Sequence, residues 1–545
     1  MALSVGQNYG SSRTVLVNNQ QVDLQNLKEL RDLPEKHRAG REEEIRSGAE
    51  FLQQFPRFPA SRACADLPWA ILFLLTLLAL LLFVATSMGE LNSQAAAHSS
   101  RHLQTTSYGY VVDDAPGGSE SGTYPGSQPM QHTFAADGNM HISESEGRHL
   151  AASICLACVA GAVGGLVSAA LWIMAAKACA SPVVYFSLYA IPALLMVGGL
   201  LALLGGSIHA GIMLCLLGGL MIVLTMCCWA RYIPFTIEIV QMVATAFSER
   251  SEMVVISAIG GFVGPLWITL VILGYLAYYI KRTGGMSAEP SDGDSGAIYF
   301  FFFVFLWGIG VIGNVSHMAY CGVFSRWYFE EDEAPLLKSL HVATVTSFGS
   351  ICFGTMMVAA INTVEAIVRG IRHAAQEDGN IVGCVIALIM EAIISCIGDL
   401  MEYFNEWVYA MCALRGGSFC DSARGTCTLI SCTGMKAIIG DVLIDRVVGF
   451  GLLLATVAGG GLAALAGLLT ATDTGGSMSR GDVIACSLAV GLVSAAISGG
   501  GVMLIMGSGT KAILMCWAED PDRLHQQHGF EALHTELNNK AREWK

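Results

Sequence analysis

Residues 391–424 read EAIISCIGDLMEYFNEWVYAMCALRGGSFCDSAR. The stretch begins in an apolar segment that nonetheless carries Glu391, Asp399 and Glu402. It runs into an aromatic-polar knot, FNEWVY at 404–409, and restarts after Gly416-Gly417. A soluble helix would hold those acids on its wet face at little cost. In a membrane span, a carboxylate near the centre costs roughly 2.5–3.5 kcal/mol on insertion scales. The first question is therefore which solvent surrounds this segment.

The flanking sequence answers for the membrane. Of 545 residues, 53% are hydrophobic and 14% charged, against roughly 25% charged in soluble domains. Uninterrupted apolar runs of about 20 residues, long enough to cross a bilayer as helices, fall at 68–88, 150–175, 182–204, 209–230, 253–280, 298–321, 342–368, 381–402, 442–469 and 483–504. Backbone groups in lipid must be satisfied within their own segment, so these runs are helices and not open sheet. The expected fold is an all-α polytopic membrane protein with about ten transmembrane helices. Residues 1–67 form an N-terminal tail, 68–88 the first span, 89–149 a long loop, 150–518 the core of spans two to ten, and 519–545 a C-terminal tail. Most Lys and Arg residues fall on the side of the N-terminus when loops are assigned alternately, which predicts cytoplasmic tails and an external 89–149 loop. That loop, rich in Ser, Gly and His and without hydrophobic periodicity, is expected to be disordered. The first span begins too far into the chain for a cleaved signal peptide.

The net charge of −14 resides mostly in loops and tails and offers no basic surface for nucleic acid. Seventeen cysteines lie mostly in spans, where cysteine is a small apolar residue. Cys412, Cys420, Cys427 and Cys432 lack paired spacing and partner histidines, and the histidines of the long loop are irregularly spaced, so no metal or other cofactor is expected. Other segments have simpler readings. The N-terminal tail shows a helical patch around Val22, Leu27 and Leu30. Residues 231–250 alternate polar Glu238, Gln241, Thr245 and Ser248 with Ile239, Val240, Val243 and Phe247, the pattern of an interfacial amphipathic helix. Three glycines and a proline at 260–265 predict a kinked or broken fifth span. Glu365 and Arg369, four apart, are expected to pair. The C-terminal tail places Phe530, Leu533, Leu537 and Trp544 on one helical side.

Four pieces of the chain resemble the choline transporter-like family, the solute carriers that include a yeast relative. Residues 405–424 are similar to its aromatic-Asn segment and the signature that follows, here Ser418-Phe419-Cys420-Asp421-Ser422-Ala423-Arg424. Residues 347–354 (SFGSICFG), Cys64-Ala65-Asp66 and Cys516-Trp517-Ala518-Glu519-Asp520 match shorter motifs, in order, across residues 60–530. The chain departs from the family pattern at Glu365, Arg369, Gly449, Ala455 and Lys511.

The resemblance implies a ten-span carrier for choline or an ethanolamine-like small organic cation, driven by an existing gradient, with protons as a candidate coupling ion and the plasma membrane, or an internal membrane, as its place. A quaternary ammonium has no donor protons, and aromatic faces suit it. Trp267, Trp307 and Tyr409, with Glu391 for charge and Asn314 for the hydroxyl, are the available pieces. The expected geometry has Gly260–Pro265 opening a cavity beside Trp267, and the break after span eight returning Tyr409 to it. Two other classes use some of the same residues: a membrane-embedded enzyme acting on lipid head groups through Asp399, Glu402 and Asp421, and a non-transporting scaffold. The sequence carries no nucleotide loop or catalytic triad, which favours a carrier over a pump or an enzyme.

Overall fold

The computed structural model describes residues 14–17, 20–24, 27–59, 62–106, 144–283, 295–330, 335–433, 443–470, 480–528 and 530–544. Among these, ten helices are long and apolar enough to cross a membrane. They are α3 (Leu67–Thr106), α4 (Glu144–Ala178), α5 (Ala180–Leu204), α6 (Ile208–Leu224), α8 (Met253–Thr283), α9 (Ser295–Tyr328), α11 (Phe348–Glu377), α12 (Ile381–Arg415), α14 (Ile444–Thr470) and α15 (Arg480–Glu519). The shorter helices are α1 (Lys28–Asp32), α2 (Glu35–Gln54), α7 (Ile233–Glu249), α10 (Pro335–His341), α13 (Phe419–Thr433), α16 (Pro521–His528) and α17 (Glu531–Trp544). The protein is an all-α polytopic membrane protein.

The spans form two packed groups. In the first, α4, α14 and α15 approach closely through small residues: a Cβ added at Gly161 would strike the backbone of Gly491, and one at Gly165 that of Ala495. Association of helices in lipid relies on such close backbone approach, which glycine alone permits here. The second group, α9, α11 and α12 with α3 and α8 against it, holds the cavities described below. Helices α5 and α6 pack chiefly on each other at the periphery.

Helix α7 matches its amphipathic reading, with Ile239, Val240, Val243 and Phe247 buried and Gln241 exposed. Helix α17 buries Leu533 and Leu537 against α7.

Several expectations are corrected. Val22 lies in a hairpin, β1 (Thr14–Val17) paired antiparallel with β2 (Gln20–Asp23), not in a helix. Its cross-strand partner is Val15, another β-branched residue, and such pairs suit a strand better than a helical turn. Helix α3 continues to Thr106, into the segment read as loop. The run ELNSQAAAHSSRHLQ contains no glycine or proline and three consecutive alanines, which sustain a helix. Helix α4 likewise starts at Glu144, and residues 107–143 of the expected loop lie outside the described residues. Helix α8 runs through Gly260–Pro265 as one helix with Pro265 inside it, so the span is not broken there. Helix α12 likewise continues through FNEWVY to Arg415; the chain turns only at Gly416 and Gly417, whose φ values of 78° and 96° suit residues without a Cβ.

Candidate functional site

One end of the bundle carries the N-terminal segment, and there the helix ends are fastened together. Arg62 donates to the last carbonyls of α12: Nη1 to Cys412 O at 3.0 Å, and Nη2 to Ala413 O at 3.0 Å and Leu414 O at 3.2 Å. A guanidinium suits this place, because a helix C-terminus presents unbonded carbonyls and partial negative charge. Asp66 Oδ2 accepts from Ser350 Oγ at 2.6 Å and from the Phe419 N–H at 2.7 Å, joining the first turns of α11 and α13. Arg415 reaches Glu519 at 2.6 Å, with both side chains buried, and also donates to Leu52 O and Phe55 O. Residues 51–59 and 62–66 thus strap α9, α11, α12, α13 and α15 together.

Toward the middle of the spans, α9, α11 and α12 enclose a polar cavity of about 150 Å³. Asn314 lines it from α9, Thr355 and Asn362 from α11, and Glu402 and Asn405 from α12, among the apolar walls of Leu306, Ile309, Val358 and Ala359. Asn405 is 2% exposed. Its Nδ2 donates to Gly354 O at 2.9 Å, whereas Oδ1 is buried without a hydrogen-bond partner among the described residues. An unsatisfied buried acceptor costs about 1–3 kcal/mol, so this oxygen is an open position for a donor. Thr355 commits its proton to Ile351 O. Glu402 sits at the rim, exposed, and among the described residues its carboxylate has no ion pair. Ionisable groups within spans face a bundle interior or a wet cavity, and this cavity gives Glu402 its reason to be there.

A second cavity, of about 500 Å³, lies across α9 and is walled by Phe73, Ile256, Gly260, Trp267, Val311 and Phe348, among others. Here the structure brings two of the expected rings together. Phe73 stacks on Trp267 with centroids 5.8 Å apart and meets Trp307 edge-on at 5.2 Å. The indole N–H groups are taken: Trp267 donates to Phe305 O at 3.2 Å and Trp307 to Cys352 O at 3.0 Å. The pair therefore braces α9 between α8 and α11.

The other expected residues lie apart from them. Tyr409 is fully buried one layer closer to the strap, its hydroxyl donating to Ile351 O at 3.4 Å and its ring 6.1 Å from Phe419. Continuity of α12 keeps it there; the expected return of Tyr409 to the tryptophans required a chain break that is absent. The third ring beside them is Phe73 of the first span, which was not among the expected residues. Glu391 bonds Arg369 Nε at 2.7 Å and Arg372 Nε at 2.8 Å, and Arg369 also pairs with Glu365 at 2.5 Å. The expectation that Glu391 needs a substrate cavity is corrected by these two arginines, which neutralise it across the α11–α12 hairpin. Asn314 lines a cavity as expected, but the polar one, where its acid is Glu402. Glu402 and Asn405 were visible as polar residues of the 391–424 stretch; that they face one space depends on the helix running unbroken.

A family model described as plasma-membrane choline transporter matches residues 212–522, more than half of the chain. Protein PNS1 of Debaryomyces hansenii is 30% identical over 238 residues, 40% of this chain and 46% of that protein. Protein PNS1 of Saccharomyces cerevisiae is 29% identical over 243 residues, 41% and 45% of the two chains. A CTL-like protein of Dictyostelium discoideum is 26% identical over 259 residues, 46% and 44%. The alignments span about half the length of these curated relatives. The matched region contains the polar cavity and three of the four family-like motifs, and the chain belongs to the choline transporter-like family.

Proposed function

We propose that this protein carries choline or an ethanolamine-like relative across a membrane down an existing gradient, without ATP, and that the polar cavity of α9, α11 and α12 binds the cation. The plasma membrane is its proposed place, with both tails in the cytoplasm and the α3–α4 connection outside. The observation that carries the reading is the pairing of an uncompensated carboxylate, Glu402, with an orphaned buried acceptor, Asn405 Oδ1, in one cavity at span depth. A trimethylammonium group needs a counter-charge and apolar walls for its methyls. Glu402 supplies the first, and Leu306, Ile309, Val358 and Ala359 the second. The alcohol of choline is a single donor and matches Asn405 Oδ1, with Asn314 and Asn362 as further polar partners. About 150 Å³ holds a ligand the size of benzene, close to that of choline. In this reading Trp267 and Trp307 act by fixing α9, Tyr409 by supporting the cavity floor, and Glu391 by closing the α11–α12 hairpin.

Uptake of radiolabelled choline into proteoliposomes of the purified protein tests this. Saturable uptake above empty vesicles is expected, with the label recovered chemically unchanged, which separates a carrier from an enzyme. Glu402→Gln should weaken apparent affinity about tenfold, equivalent to about 1.4 kcal/mol. Absence of uptake by the wild-type protein, or unchanged affinity in Glu402→Gln, would overturn the proposal.

A further inference from the structure

We infer that Lys511 sets the charge of the cation site so that it takes a monovalent cation and turns away a dication; the inference rests on the cation-site reading above. On α12, Asp399, Glu402 and Glu406 recur at spacings of three and four and so share one helical face. Asp399 lies outside the cavity lining, exposed on the bundle surface. Glu402 is at the cavity rim, and Glu406 is one turn nearer the strap. Two neighbouring carboxylates would form a doubly negative site, which favours a divalent ion or a diamine over choline.

Lys511, from α15, prevents this. Its Nζ lies 2.7 Å from Glu406 Oε2, with the two side chains only 12% and 26% exposed. The same ammonium lies 5.9 Å from the Tyr403 ring centroid, so a ring face from α12 also holds it in place. His317, another titratable ring in this layer, is engaged elsewhere: Nδ1 bonds Ser508 Oγ at 2.7 Å, and Nε2 faces the backbone carbonyl of Glu406 at 3.0 Å, not its carboxylate. Asp399, Glu406 and Lys511 are the charges that act on Glu402. With Glu406 and Lys511 cancelling, and Asp399 exposed outside the lining, Glu402 is the acid that faces the cavity among the described residues. The buried, unpartnered Asn405 Oδ1 in the same cavity marks it as a ligand position and not merely an acidic stripe.

The test is a charge cycle on the reconstituted full-length protein: wild type, Lys511→Met, Glu406→Gln and the double variant. Radiolabelled choline uptake is measured against added putrescine, a flexible dication. Putrescine in excess should barely inhibit the wild type. Lys511→Met should become more sensitive to putrescine, relative to choline, on the order of tenfold, the effect of one unit charge at about 10 Å where the effective permittivity is near 20. Glu406→Gln, which leaves Lys511 uncancelled, should weaken choline by a similar factor. The double variant restores the balance and should return to wild-type selectivity, so the inference stays testable even if one single variant folds poorly. A folded Lys511→Met with wild-type selectivity, or a double variant as sensitive to putrescine as Lys511→Met, would overturn the inference while leaving choline transport standing. A wild-type protein that takes up no choline defeats the cation-site reading itself.

Discussion

The two ends of the bundle are held by different physics. At the strap end, charged groups are buried and each reaches several helices: Arg415 and Glu519 are 5% and 0% exposed, and Arg57 stands 3.5 Å from Glu519 while its guanidinium covers the Phe329 ring. Phe58 adopts φ 46°, a conformation that costs a non-glycine residue about 1–3 kcal/mol. It is held there by its N–H bond to Leu414 O and by Arg326 over its ring. At the opposite end, the charges Glu365, Arg369, Arg372 and Glu391 join α11 to α12 and, among the described residues, no other helix, and Arg369 is half exposed. Buried pairs are costly to break singly, whereas exposed ones contribute little and are screened by salt. The polar cavity lies between a cross-linked end and a lightly tied one, and the lightly tied end is where motion should be easier.

Breaking the strap should have the largest effect. Arg415→Met leaves the buried Glu519 with only the longer 3.5 Å contact to Arg57 and takes the donor from Leu52 O and Phe55 O, which should cost about 3–5 kcal/mol. The expected outcome is a steep fall in folded yield and melting temperature in detergent, partly restored by adding Glu519→Leu. An Arg415→Met protein as stable as the wild type would show that the two ends do not differ in this way. Arg62→Ala removes one charged donor from three carbonyls and should cost about 1.5–3 kcal/mol, read as faster amide exchange in the last turn of α12. Gly349→Ala tests packing: a Cβ there would overlap Asp66 O and Ala65 O, both backbone atoms with little room to move. It should cost about 1–3 kcal/mol, seen as a lowered melting temperature with the Asp66 bonds to Ser350 and Phe419 disturbed.

The contrast also explains what the sequence could convey. Span count, the α7 amphipathic face and the Glu365–Arg369 pair all follow from periodicity and spacing within single segments, and all are present. The motifs that carry the family resemblance were legible as strings, yet their meaning was not. Asp66 belongs to the strap, and Ser350, Phe419 and Asp520 come from three distant segments and meet it, so much of that signature serves to fasten helix ends. Partners across helices were illegible for the same reason. Glu391 looked expensive because Arg372 lies on the preceding helix, 19 positions back. In α8 glycine and proline left a break open as a reading, and the helix runs on through Pro265 without one. In α12 the aromatic-polar knot was read as a break, although Asn405 finds Gly354 O laterally and the helix persists.

The smallest expected effect lies at the lightly tied end and sharpens the comparison without damaging the fold. Glu365→Arg with Arg369→Glu exchanges the pair on α11, but it places an acid beside Glu391 where Arg369 stood. Arg372 still reaches Glu391 at 2.8 Å, so one link across the hairpin survives. The exchange should leave the melting temperature close to wild type. Amide exchange around residues 370–385 should rise, because one of the two bridges between α11 and α12 is gone. Raising the salt concentration should have a similar local effect on the wild type, since the Debye length falls to about 3 Å at 1 M and exposed pairs are screened first. The strap, with its buried pair, should show no such response at residues 412–415. Equal salt responses at the two ends would mean that the strap is as wet as the hairpin, and that the asymmetry in burial does not govern which end opens.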